Sequence, residues 1–133
     1  MREIKFRIWS SCWNLMIYLD GFKYINEKII QIYYKDEDGD ISSSVVSLKD
    51  ATLEQYTGLK DKNGKEIFEG DICRYFNPED KDGICEIEED YALWISGTIK
   101  ETNLLTPLFY LKCSSEWEVI GNIHENPELL NEK

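Results

Sequence analysis

What the 133-residue sequence lacks narrows its chemistry before any pattern is read. Histidine occurs once, at His124, and the four cysteines, Cys12, Cys73, Cys85 and Cys113, form no C-x-x-C pair, so a zinc site would have to be gathered from distant loops. No metal and no cofactor are expected, and in a reducing compartment the thiols read as free and buried. No run approaches the roughly 20 apolar residues that span a bilayer, and "MREIKFRIWSSCW" interleaves charge where a signal peptide needs a continuous apolar run. The expectation is a cytoplasmic protein that does not enter the membrane. Positive charge is scarce: 15 Lys and Arg stand against 26 Asp and Glu, a net charge of -11. Duplex binding depends on Lys and Arg displacing counterions from phosphates, so this balance argues against nucleic acid unless the basic residues gather on one face; it suits docking onto a basic host protein.

What is present suits one folded domain, or one with a small appendage. Apolar residues make up 42% and charged residues 31%, the proportions of an ordinary globular chain and not a disordered one. A chain of this size buries roughly two-thirds of its unfolded surface. Neither an internal repeat nor a low-complexity tract occurs.

Period two dominates wherever a period can be read. In "EIKFRIW", Ile4, Phe6 and Ile8 share one face and Lys5, Arg7 and Trp9 the other, as in a strand packed on one side; after "SSCWN", Leu15, Ile17 and Leu19 alternate, completing an N-terminal hairpin. "KIIQIYYK" aligns Ile30, Ile32 and Tyr34, and Asp38-Gly39 predicts a two-residue hairpin turn into "ISSSVVSL". "SLKDATLEQ" has no clean alternation and admits a helical turn near Asp50. Asn63-Gly64 predicts a type I′ turn between "GLKDK" and "KEIF", and Gly70 permits a kink at the start of "DICRYF". "NPEDKDG" reads as a loop, and "ICEIE", "YALWI", "LFYLKC" and "EWEVIGNI" as strands; beyond Pro127 a turn or short helical piece is expected. The fold class is mainly β: an N-terminal β-hairpin region over residues 1–54, then a small curled sheet or barrel over residues 55–133, with at most short helical turns.

Most groups that suggest chemistry have simpler explanations. A nucleophile pair would need His124 beside Cys73 or another activated group, and a half-exposed structural histidine is the plainer reading. "DEDGD" starts like a calcium loop, but Ile41 and Ser47 stand where that loop needs Gly and a bidentate Glu, so it is a solvated hairpin tip. "GLKDKNG" lacks the terminal Lys-Ser/Thr of a phosphate loop and leads into a strand. Glu86 and Glu88 share a strand face, with Glu89 and Asp90 following; carboxylates guarding an edge strand explain them better than acid–base catalysis. No catalytic residue is assigned, and no enzyme is expected.

The aromatics keep functional interest. Trp9, on the same face as Lys5 and Arg7, would form a basic, aromatic surface on an acidic protein, suited to a subunit interface or, alternatively, to stacking a small nucleotide. Trp117, alternating with Val119 and Ile123, reads as core.

Three motifs in order, "MREIKFRIW", "QYTGLKDKNGKEIFEGDI" and "EVIGNIHENPELL", resemble the YopX family of small phage and prophage proteins and span Met1 to Leu130. Family members have "FRAWD" and a polar turn where this chain has "FRIWS" and "SCWNLM", which makes the first hairpin tip apolar and Trp13 a contact residue. The resemblance implies phage or prophage origin, a bacterial host cytoplasm, an SH3-like C-terminal barrel and an oligomer, and it implies no reaction. The expectation is a non-enzymatic accessory protein that binds another protein or itself through Lys5, Arg7, Trp9 and Trp13. A counter-defence protein sequestering a nucleotide signal is the first alternative, and a nucleic-acid-binding barrel, by analogy of fold, the second.

Overall fold

A computed structural model describes residues 3–76, 83–88, 91–97, 105–107 and 116–131. They form twelve strands: β1 (Phe6–Ser10), β2 (Leu15–Tyr18), β3 (Gly21–Tyr24), β4 (Ile29–Lys35), β5 (Ile41–Ser47), β6 (Ala51–Lys60), β7 (Glu66–Phe68), β8 (Asp71–Phe76), β9 (Gly83–Glu88), β10 (Tyr91–Gly97), β11 (Leu105–Pro107) and β12 (Glu116–Asn122). A 3-10 turn over Pro127–Asn131 follows, where proline rules out further strand. The protein is mainly β, as its alternation predicts. The expected loop at residues 77–82, the strand "LFYLKC", Glu89, Asp90 and Cys113 lie outside the described residues. Two compact units divide the chain, Glu3–Tyr56 and Thr57–Lys133.

In the first unit, β1 lies between β2 and β6, and β4 lies between β3 and β5. The register sets Ile8 opposite Ile17 and Leu53, and Ile30 opposite Val46. Ile8, Ile17, Ile30, Ile32 and Val46 make a buried cluster against which Leu19, Phe22, Tyr34 and Leu53 pack. Phe6 meets Phe22 edge to face with centroids 4.9 Å apart. Each isoleucine taken fully out of water contributes about 1.5–3 kcal/mol, so the cluster is what holds this small unit together.

Three expectations for this unit are corrected. β1 is not packed on one side only: Arg7 and Trp9 are buried along with Ile8, so both of its faces are covered. The segment near Asp50 is no helical turn but the approach to β6, the longest strand; its alternation is masked because Glu54, a buried position, is ionic. Gly21–Tyr24, too short for a readable period, is also a strand.

The two glycine hairpins form, but neither turn is of type I′. Gly39 and Gly64 have φ of 82° and 83°, whereas Asp38 and Asn63 do not enter the positive region that such a turn demands of both central residues. The cause is an aspartate opening each turn. Asp36 N–H donates to the Asp40 carbonyl (2.9 Å) and Gly39 N–H to the Asp36 carbonyl (3.0 Å), while Asp36 Oδ1 accepts from the N–H groups of Asp38 (2.9 Å) and Asp40 (3.0 Å). Asp61 repeats every one of these bonds with Asn63, Gly64 and Lys65. The carboxylate holds an ordinary turn, and the left-handed glycine closes it as a bulge.

The two aspartates differ in burial, and this sets a prediction. Asp36 is exposed, whereas Asp61 is buried and its Oδ2 also accepts from Val119 N–H in β12 (3.0 Å). Asp61→Ala removes a buried acceptor from the N–H groups of Asn63, Lys65 and Val119 and should cost about 2–3 kcal/mol, while Asp36→Ala should cost about 1 kcal/mol or less. Chemical denaturation of the two variants checks the ordering.

The second unit holds a five-stranded antiparallel sheet in the order β11-β10-β9-β8-β12, curled as a half-barrel. Register shifts between Trp94 and Ser96 and between Val119 and Gly121 bend it. Gly70 turns the corner with φ 87°, donating to the Ile87 carbonyl (2.8 Å) and accepting from Ile123 N–H (2.9 Å). Gly121 has no room for a side chain, since a Cβ there would lie 2.5 Å from Asn126 Oδ1. Ile72, Cys73, Ile87 and Trp117 are buried, the last as expected. β9 is not an edge strand: it lies between β8 and β10, with Glu86 opposite Ile72 and Leu93, so the edge-guarding explanation of its carboxylates is withdrawn.

Candidate binding surface

The four residues singled out from the sequence do not share a surface. Arg7 is 2% exposed, and its Nε donates to Glu54 Oε1 at 2.8 Å across the β1–β6 pair in which the two residues are register partners. A guanidinium so placed is neutralised and has no water-facing charge to offer a ligand. Trp9, on the same face of β1 and flanked in register by Met16 and Thr52, is 9% exposed. Lys5 is partly exposed, with its ammonium 3.6 Å from Glu3 and 5.7 Å from the centre of the Tyr56 ring. The sequence could not distinguish a solvent face from a second buried face, because both alternate with the core.

Trp13 does stand at the surface, 50% exposed, in the turn joining β1 to β2. The turn is held from behind. Ser10 Oγ accepts from Trp13 N–H (3.1 Å), and both the N–H and the hydroxyl of Ser11 donate to the Asp50 carbonyl (2.9 Å each). Asn14 takes a left-handed φ of 52°, which asparagine tolerates better than most residues and which folds the chain straight back into β2. Leu15 beside it is 52% exposed, and Cys12 is exposed, which corrects the expectation that the thiols are buried; Cys73 is buried as expected. The tip is therefore a braced turn that presents an indole.

Further apolar exposure lies where no site was expected. Tyr18 and Tyr24 are at the ends of short strands, and Ile41 and Val45 project from the outer face of β5. The signal for β5 is in the sequence, since "ISSSVVS" has no charged residue, but its meaning depends on strand order.

His124 is half-buried beyond β12, with its backbone N–H donating to Asn122 Oδ1 (3.0 Å). Among the described residues no three His, Cys, Asp or Glu side chains gather as metal ligands would, and no helix is long and apolar enough to cross a membrane.

The architecture is that of an antiparallel β protein in two units, a small two-sheet unit followed by a curled five-stranded one. The chain belongs to the YopX family: the family described as YopX protein matches residues 5–131, nearly the whole chain. It is similar to protein EF1440 from Enterococcus faecalis, whose crystal structure superposes with a TM-score of 0.61 at 27% identity, covering 98% of this chain and 99% of that one. No protein of curated function matches the chain.

Proposed function

We propose that this is a non-enzymatic accessory protein of phage or prophage origin that works by binding, to a second copy of itself or to a host protein, through its N-terminal unit. One observation supports the reading above all. The unit Glu3–Tyr56 exposes large apolar side chains, from Ile4 at 74% to Trp13 at 50%. Eight large apolar side chains at least half exposed on one small unit, in a chain of net charge -11, are what a contact surface offers and an ordinary solvated one does not. The nucleotide alternative loses one of its two cations, since Arg7 is buried against Glu54 while Lys5 stays partly exposed, and the charge balance opposes both an anionic ligand and nucleic acid.

Self-association is measurable without a known partner. Sedimentation over a concentration series should give a mass above the 15.7 kDa of one chain. A monomer at every concentration would remove self-association from the reading. Trp13→Ala should leave the stability within about 1 kcal/mol of the parent, since the ring is already half in water. Any loss of partner binding in that variant then reports contact and not unfolding.

A further inference from the structure

We propose that β5 is a pairing edge for a second copy of this chain: two β5 strands align antiparallel about a two-fold axis at Ser44, joining two three-stranded sheets into one of six strands. The inference rests on the reading that the N-terminal unit is the binding unit and names the surface that does it.

β5 is the last strand of its sheet, and the register identifies its free side. Asp36 N–H bonds the Asp40 carbonyl and Leu48 N–H bonds the Lys28 carbonyl, so in the ladder between them Ser42, Ser44 and Val46 direct their backbone groups at β4. Ile41, Ser43 and Val45 direct theirs outward. Such a row of outward N–H and C=O groups is a template for another strand unless the edge is short, charged, bulged, broken by proline or covered.

Every other described edge has one of those protections. β3 has four residues and carries Lys23; β2 has four; β7 has three; β11 has three and ends in Pro107. β12 is bulged, and along it the 61–65 turn bonds the Trp117 carbonyl and Val119 N–H. β5, seven residues long like β12, alone among them combines that length with an unshifted register and a sequence free of charged residues, proline and glycine.

The occupant follows from the strand's symmetry and charge. With Ser44 opposite Ser44 of the second copy, Ser43 faces Val45 and Ile41 faces Ser47, so outward residues meet outward residues over the whole strand and each such pair can exchange two hydrogen bonds. Serines alternate with the apolar side chains, so no two bulky groups collide. The turn leading into β5 carries Asp36, Glu37, Asp38 and Asp40, with Lys35 beside it, whereas the far end has Lys28 and Lys49 beside Glu27 and Asp50. Antiparallel pairing keeps the two acidic turns at opposite ends, roughly 20 Å apart for seven residues of strand, and sets each beside the other copy's neutral end. Parallel pairing would bring them together. The pairing uses the same edge on both copies and so closes at two.

Sedimentation of the full chain, of Val45→Lys and of Ser43→Pro tests this. Val45 is 56% exposed and Ser43 faces away from β4, so both variants keep the β4–β5 ladder and should match the parent in circular dichroism and thermal unfolding. The expected result is a parent dimer of 31.4 kDa, twice 15.7 kDa, with both variants folded and associating at least about tenfold more weakly and Trp13→Ala still dimeric. Folded variants that dimerise like the parent would overturn the β5 edge while leaving self-association through another surface. A parent that is monomeric throughout would overturn both, as would a β5-dependent complex with a different protein in place of the dimer.

Discussion

Replacing Glu54 with leucine should destabilise the protein by about 3–5 kcal/mol, as much as any single surface-neutral change in the first unit. The side chains of Arg7 and Glu54 are 3% and 5% exposed, and the substitution takes from a buried guanidinium the carboxylate its Nε donates to. The same argument predicts rescue. Arg7→Met combined with Glu54→Leu removes both charges and fills the volume, and it should recover most of the loss, because a buried ion pair gains little net stability once its desolvation is counted. Denaturation midpoints of the two single variants and the double variant form the cycle that separates pairing from packing.

Trp9→Ala should cost about 3–5 kcal/mol, in contrast to the small effect of Trp13→Ala. Two tryptophans four positions apart, in "IWSSCW", look alike in the sequence, but one is in a central strand and buried and the other is on a turn. Thermal unfolding of the two single variants should separate them plainly. Changing both together would confuse a lost interface with a lost core.

The contrast also shows how far the residues alone carry the argument. Alternation places β1, β2, β4 and β12 because their core residues are aliphatic or aromatic and evenly spaced, and the Asp38-Gly39 turn places β5 as the return strand. It fails at β6 because the buried position 54 is an acid, which reads as solvent-facing until Arg7 is found opposite it. It fails at Arg7 and Trp9 for the reciprocal reason: both faces of β1 are covered, and what packs over a strand's face is not a local property. Strand order likewise decides that Glu86 is in an interior strand and that "ISSSVVS" is an edge. The glycine hairpins are legible as hairpins, while their turn type depends on which backbone groups Asp36 and Asp61 can reach.

Binding through the N-terminal unit is tested most directly by amide hydrogen exchange of the full chain, compared between dilute and concentrated solution. Added protection at high concentration should fall within Glu3–Tyr56 and be greatest at Ser43 and Val45. Protection gained instead within Thr57–Lys133, or identical exchange at all concentrations, would contradict the account.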